Sequence, residues 1–319
     1  MVRFFAMGTL VPADAWSPER VVDVALARDL IETQFSNMAP VRAEPLGLGW
    51  DNTAHLVNGA WVFRFPRREV AVPLLEREVR LLPELSALLP LPIPNPEYVG
   101  RPDGRFPWPF AGYRFLSGQT ACRAHLSEDQ RDATVEPLAH FLATLHSFPV
   151  ERAVALGARD DEIGRLDVPA RSVKARATLT ELKNVGLLTA AHAQRLERVL
   201  DLCSGIVPQA APVLLHGDLY ARHILLDDLG KPAGIIDWGD IHIGNRAVDV
   251  GLAFEFFPPA ARQKFRRAYG ALDDTTWRLA HFRALYHAAY ILRYAHRVSD
   301  ANLASEGMFA LLNVADAAD

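Results

Sequence analysis

The sequence predicts an α+β protein: a small antiparallel-sheet lobe followed by a larger, mainly helical lobe. Two β-like runs joined by a tight-turn dipeptide stand near the beginning, and long stretches at helical spacing fill most of the remainder. Two short apolar runs within the helical half carry a dense group of histidines and aspartates.

Ser17-Pro18 followed by Val22, Leu26 and Leu30 predicts an opening helix, with an N-cap, a proline at the first helical position and an apolar stripe. In PLGLGWDNTAHLVNGAWVFRFPRR, Gly47 and Gly49 interrupt two β-like runs. Asn58-Gly59 supplies a tight-turn signal between AHLV and WVFRF. LLEREVRLLPEL has helical periodicity through Leu75, Val79 and Leu82, with Glu78 off that stripe. LPLPIPNPEYVGRPDGRFPWPF must be extended or looped, because proline offers no N–H and disfavours helix in the residue before it. AGYRFLSG predicts a strand over Tyr113 to Leu116 that ends at Gly118. The lobe boundary falls there: residues 1–112 form the first lobe, 113–118 a hinge and 119–319 the second lobe. From Ser127 to His146 the pattern is helical through Leu138, Leu142 and Leu145, with Pro137 kinking or restarting it. Residues 170–203 predict one or two helices. Thr275 to His296 predicts a long one carrying Trp277, His281, Leu285 and Leu292.

The chain has 319 residues and a formal net charge of -4. No basic field is strong enough to draw it onto nucleic acid or an anionic membrane. Cys122 and Cys203 lie far apart without CxxC spacing, which argues against a zinc site or a disulfide framework and suits a reducing cytoplasm. The apolar core of MVRFFAMGTLVP is too short and broken for a secretory segment, and no run approaches the roughly 20 apolar residues that span a bilayer. Either a monomer or a homodimer is compatible with this composition.

The chemistry concentrates in HGDLYARHILL, residues 216–226, and in GIIDWGD, which ends at Asp240. Val213 to Leu215 and Ile224 to Leu226 are short strand-like runs, and DDLGKPAG turns back into Gly234 to Ile236. Asp218 therefore falls on a loop just after a strand, and Asp237 ends the next hairpin strand. Such a cluster could serve a metal hydrolase, a phosphoryl transferase or a proton relay, or could be purely structural. Two carboxylates on adjacent loops can divide the work that phosphoryl transfer needs: one binds a divalent cation, the other accepts a proton from the attacking hydroxyl.

HGDLYARHIL followed by IIDWGD resembles the catalytic and metal-binding loops of the aminoglycoside phosphotransferase family, which has the bilobal fold of the protein kinases. GWDN, WVFRFP, REVRLL, FAGYRFLSG and LAHFLATLHSFP are similar to that family's landmarks in order, so the resemblance covers residues 45 to 255. It implies a metal-dependent transfer of the γ-phosphoryl of ATP or GTP to a hydroxyl of a small molecule. His223 stands where most members carry Asn, and the macrolide phosphotransferase branch is similar in having His there. By the resemblance, Asp218 is the catalytic base, and Asp237 with His223 holds Mg²⁺ or Mn²⁺, imidazole being softer than an amide oxygen. His216 holds the loop, and Asp249 braces it.

Arg64 and Glu78 resemble the kinase lysine–glutamate pair that steadies the phosphates, with Arg67 or Arg68 as substitutes for Arg64. Gly47 and Gly49, which could also simply mark a bulge, would by the resemblance cover the phosphates, and Arg114, Phe115 and Leu116 would offer hinge backbone to the purine. Acceptors in this family commonly bear amines, which makes Asp240 and Glu255 candidates for an acidic pocket. Trp277, Phe282, Tyr286 and Tyr290 read as core or as an apolar pocket wall. His242, His281, His287 and His296 fall outside any ligand spacing and read as core or surface histidines. Two other readings compete: a nucleotide-binding protein without catalysis, and a metallohydrolase with His216, Asp218 and His223 as ligands.

Overall fold

The computed structural model describes residues 17–49 and 51–316. MVRFFAMGTLVP and Trp50 of the GWDN stretch lie outside the described residues. Helix α1 (Val24–Gln34) starts at Asp23, whose carboxylate accepts the Leu26 N–H at 2.8 Å. The N-cap is thus Asp23 and not Ser17, because the amides of Glu19 and Arg20 donate to the Arg67 carbonyl and tie that segment to the sheet instead.

Strands β1 (Ala43–Leu48), β2 (Asn52–Val57) and β3 (Trp61–Pro66), helix α2 (Val72–Ser86), and strands β4 (Pro96–Gly100) and β5 (Phe110–Arg114) build the first lobe. The strands form one antiparallel sheet in the order β1-β2-β3-β5-β4. Asn58 (φ 52°) and Gly59 (φ 67°) are both left-handed, as the tight turn between β2 and β3 requires. Phe63, Phe65, Phe106 and Phe110 are buried against α1, and Phe65 stacks on Phe110 at 4.7 Å.

Of the extended and looped alternatives for the proline-rich stretch, residues Pro96–Gly100 take the extended one and form β4. It lies at the sheet edge, where a missing N–H need not break a ladder. Strand β5 is placed earlier than Tyr113 to Leu116. It ends opposite the first residue of β3, with Arg114 facing Trp61, and beyond that point the partner strand has turned away. Helix α2 buries Leu74, Leu81, Leu82 and Leu85 and also Arg77 and Glu78.

The second lobe begins with β6 (Gln119–Thr120), α3 (Glu128–Ala133), α4 (Val135–His146) and α5 (Val150–Ala155). Ser127 and Gln130 close a capping box on α3, and the helix breaks at Thr134 so that Pro137 sits in the first turn of α4. Residues 170–203 resolve into two helices, α6 (Val168–Asn184) and α7 (Ala190–Leu202).

Four short strands follow: β7 (Val213–Leu215), β8 (Ile224–Leu226), β9 (Pro232–Ile235) and β10 (His242–Gly244). β7 pairs with β10, whereas β8 pairs with β6 and β9. The chain closes with α8 (Ala247–Val250), α9 (Leu252–Glu255), α10 (Arg262–Tyr269), α11 (Asp274–Arg297) and α12 (Ala301–Asp316). Arg131 forks onto Glu306 with two 2.7 Å bonds and fastens α3 to α12. Arg77 Nη1 donates to the Ile241 carbonyl at 3.1 Å, which anchors α2 to the loop that follows β9. Among the described residues, no helix is long and apolar enough to cross a membrane.

Candidate active site

β7 delivers His216, Gly217 and Asp218 into the cleft. Gly217 is left-handed (φ 84°), and a Cβ there would meet the Asp240 carbonyl oxygen at 2.4 Å, so glycine is required. Asp249, on α8, accepts the His216 and Gly217 amides at 2.8 Å each, and His146 Nε2 at 3.1 Å. Burial alone would raise the Asp249 carboxyl, but the bonds from His146 and Gly217 outweigh it and hold it at about 2. Asp249 therefore braces the loop as an anion.

His216 Nε2 donates to the Ile236 carbonyl at 3.1 Å, and Nδ1 accepts the Asp218 N–H at 3.3 Å. Both ring nitrogens are committed to backbone, and burial pushes the imidazole toward its neutral form. This arrangement fits a loop-holding role and leaves His216 no lone pair for a metal, which removes one of the three ligands of the hydrolase reading.

Asp218 is buried at 4% exposure. Burial, then Asp240 and Asp237, lift its carboxyl above the usual range against the pull of Arg283 and Arg165. Its Oδ1 lies 3.1 Å from His287 Nε2, and His287 Nδ1 lies 2.8 Å from Glu255 Oε2.

His223 precedes β8. Its Nδ1 donates to the Asp218 carbonyl at 2.7 Å, which fixes the tautomer and turns the Nε2 lone pair to within 3.1 Å of Asp237 Oδ2. Two electron-pair donors at that distance repel unless a proton or a cation lies between them. Asp237 sits in a left-handed backbone (φ 68°), a strained state for a non-glycine residue and one that aims its carboxylate at His223. Burial alone would raise the Asp237 carboxyl, but the His223 ring, when its Nε2 carries a proton, and the Arg64 guanidinium pull it below the usual range. An anionic oxygen beside a buried, orphaned imidazole nitrogen is a donor set that fits a divalent cation. Among the described residues, no group of three or more His, Cys, Asp or Glu is arranged as a complete metal site.

Arg64 Nη1 donates to Glu78 Oε2 at 2.7 Å, both side chains being buried, and Asp237 adds to the field on the guanidinium. Of the arginines that could pair with Glu78, Arg64 does so; Arg68 binds Asp51 at 2.6 Å and Arg67 donates to the Gly49 carbonyl at 2.5 Å. Gly47 lies at a bulge where β1 slips register against β2, and Gly49 accepts that Arg67 bond in the turn that follows. Arg114 stacks over the Trp61 ring at 4.0 Å, and the Phe115 N–H is committed to the Ala60 carbonyl at 2.9 Å. Leu116 is half-buried beside Gly234.

The two acids expected to face an acceptor are otherwise engaged. Asp240 receives Arg165 Nη2 at 2.6 Å, and Glu255 is buried against His287 with its carboxyl pushed up to about 8 by burial. Neither offers an open carboxylate, because the fold supplies each with an internal partner. Phe282 is fully buried, and the Tyr286 hydroxyl donates to the Arg165 carbonyl, so these two aromatics belong to the core.

Two residues escaped the sequence reading. Arg165 binds Asp161 (2.8 Å), Asp240 and the Gly217 carbonyl (3.2 Å). His287, read as a core histidine, is buried but joined to Asp218. Both sit far along the chain from the cluster, and no local pattern marks them.

A family model described as the phosphotransferase enzyme family matches residues 42–302. The chain belongs to this family. The phosphotransferase is 28% identical to a solved aminoglycoside 2'-phosphotransferase-IIIa in complex with GDP, with a TM-score of 0.67 over 93% of this chain and 99% of that one. A GDP and kanamycin complex of APH(2")-IIIa is 29% identical, with a TM-score of 0.63 over 90% and 97% of the two chains. The macrolide 2'-phosphotransferase MphH from Brachybacterium faecium shares the fold at 21% identity and a TM-score of 0.57, over 91% and 97%. YcbJ from Bacillus subtilis (strain 168), an uncharacterized protein, is 25% identical over 228 residues, which are 68% of the phosphotransferase and 70% of YcbJ. The bilobal, kinase-like fold is thereby established.

Proposed function

We propose that this phosphotransferase moves the γ-phosphoryl of ATP or GTP onto a hydroxyl of a small, amine-bearing molecule, with an aminoglycoside or macrolide as the acceptor class. The observation that carries the reading is the convergence of Asp218 with the His223–Asp237 pair, beside the buried Arg64–Glu78 pair. Asp218 accepts the acceptor's proton and orients its oxygen. Asp237 and His223 would hold Mg²⁺ or Mn²⁺, which would supply positive charge against that developing on the transferred phosphoryl group. Arg64, oriented by Glu78, steadies the phosphates. Gly47 and Gly49 lie over the phosphates, and segment 113–118 hinges a nucleotide lobe (1–112) to the acceptor lobe (119–319).

An amine on the acceptor is supported by the solved relatives that act on aminoglycosides. It is also supported by exposed Asp160, which bridges to Ile243 of β10, the strand paired with β7. A cytoplasmic setting suits a donor nucleotide and two buried, free cysteines.

The test incubates the protein with ATP or GTP, Mg²⁺ and a panel of kanamycin, gentamicin, streptomycin and a macrolide, and reads added phosphate by mass spectrometry. One phosphate added to an acceptor, dependent on Asp218, is the expected result. Nucleotide binding with no phosphate on any acceptor would instead favour a nucleotide-binding protein without catalysis.

A further inference from the structure

A buried chain of three groups runs behind the catalytic loop: Asp218 on the loop, His287 in the middle of α11 and Glu255 at the end of α9. The links are 3.1 Å from Asp218 Oδ1 to His287 Nε2 and 2.8 Å from His287 Nδ1 to Glu255 Oε2. All three side chains are at least nine-tenths buried: His287 is 2% exposed and Glu255 6%. The Tyr220 ring packs edge-on against His287 at 5.3 Å and against His223 at 4.5 Å, so the imidazole is wedged in one plane. Arg283, also buried, balances the negative charge of the chain.

Two hydrogen bonds need two protons. If Glu255 keeps its proton, it donates to Nδ1, the imidazole must carry its own proton on Nε2, and Asp218 is left ionised. If Glu255 is ionised instead, Nδ1 carries the proton, Nε2 is bare, and Asp218 must be protonated to make the 3.1 Å bond. An imidazolium between two carboxylates would satisfy both bonds as well, but burial drives this imidazole toward neutrality; of the two neutral-imidazole arrangements, only the first lets Asp218 accept a proton from an acceptor hydroxyl. Burial pushes the Glu255 carboxyl up to about 8; it lifts the Asp218 carboxyl too, but Arg283 and Arg165 both pull Asp218 back toward the anion, whereas Glu255 feels Arg283 alone.

We propose that His287 is a positioning residue for Asp218, oriented by a protonated Glu255: its Nε2–H locks Oδ1 and leaves Oδ2 to face the acceptor hydroxyl. The proposal rests on the reading of Asp218 as the proton acceptor. It makes Glu255 a hydrogen-bond donor, so that an amide serves there as well as an acid, and it assigns the middle of α11 to the catalytic apparatus.

The experiment has two arms on the full chain. In the first, ¹⁵N-histidine-labelled protein without nucleotide is examined by NMR. The His287 resonances, assigned by comparison with His287→Gln, should show a protonated Nε2 and a bare Nδ1, both unchanged in Glu255→Gln. A protonated Nδ1 in the parent overturns the proposal whatever the activity.

The second arm measures turnover and nucleotide KM with whichever acceptor is phosphorylated, using Asp218→Asn as reference. Glu255→Gln should turn over within about 3-fold of the parent, whereas Glu255→Leu and His287→Phe should lose about 10–100-fold in kcat with nucleotide KM unchanged. His287→Gln, whose amide N–H can reach Oδ1, should recover part of the loss. If Glu255→Gln falls as far as Glu255→Leu, or if His287→Phe matches the parent, the positioning role is wrong. Full activity in Asp218→Asn would sink the base assignment itself, a distinct failure. Melting curves for each variant separate loss of turnover from loss of fold.

Discussion

His223 Nδ1 donates to the main-chain carbonyl of Asp218 at 2.7 Å, and this single bond points Nε2 at Asp237, 3.1 Å away. The loop that carries Asp218 thus sets the neutral tautomer of His223. A neutral histidine so held presents the Nε2 lone pair to a cation.

From that orientation, His223→Asn should preserve Mg²⁺-supported turnover and reduce any preference for Mn²⁺, since an amide oxygen is the harder donor. His223→Leu should cost far more. Titration of turnover against each metal is the measurement, and equal losses in both variants would mean that His223 only packs the loop.

Asp218→Asn should leave nucleotide affinity and melting temperature nearly unchanged and cut turnover by about 10²-fold or more, because the amide cannot take up a proton. Steady-state kinetics at saturating nucleotide read this out. Unchanged turnover would remove Asp218 from the chemistry.

Glu78→Leu should destabilise the protein by about 3–5 kcal/mol, because it removes the 2.7 Å ion-pair partner of the buried Arg64 guanidinium. The double variant Arg64→Met with Glu78→Leu should recover much of that stability and none of the nucleotide affinity. Denaturant melts and nucleotide titrations distinguish this from a mere packing role, in which affinity would return with stability.

Asp249 gives a pH dependence with a definite sign. Its carboxyl falls from 3.8 to about 2 on folding, so its contribution, about 2 kcal/mol, is fully present above pH 4 and is lost as pH falls toward 2. Asp249→Asn should be less stable than the parent by about that amount at pH 7, and the two should converge in acid. A gap between parent and variant that stays constant down to pH 2 would show that no ionised carboxylate is involved.

Much of this fold is legible because its signals are local. Asn58-Gly59 marks the β2–β3 turn because both residues adopt the left-handed backbone the turn needs. The restart near Pro137 appears as a break at Thr134 for the same kind of reason, a constraint carried by one residue and its neighbours. The N-cap of the opening helix was misplaced, and the choice between strand and loop for β4 was left open, where a distant group intervened: the Arg67 carbonyl holds Glu19 and Arg20, and β5 recruits β4.

The sequence by itself determined the sheet, the helices, most turns and the family, since turn preference, periodicity and motif spacing act within a few residues. Only the tertiary structure decided which partner each charged group would take. Asp240 and Glu255 read as open acids, yet one is claimed by Arg165 and the other by His287, while His287 itself reaches across 69 positions to Asp218. Periodicity can say which face of α11 is buried. It cannot say that a carboxylate waits behind that face, because the low-dielectric contact that pairs them, shifts their protonation and gives the site its chemistry exists only once the chain has closed around both.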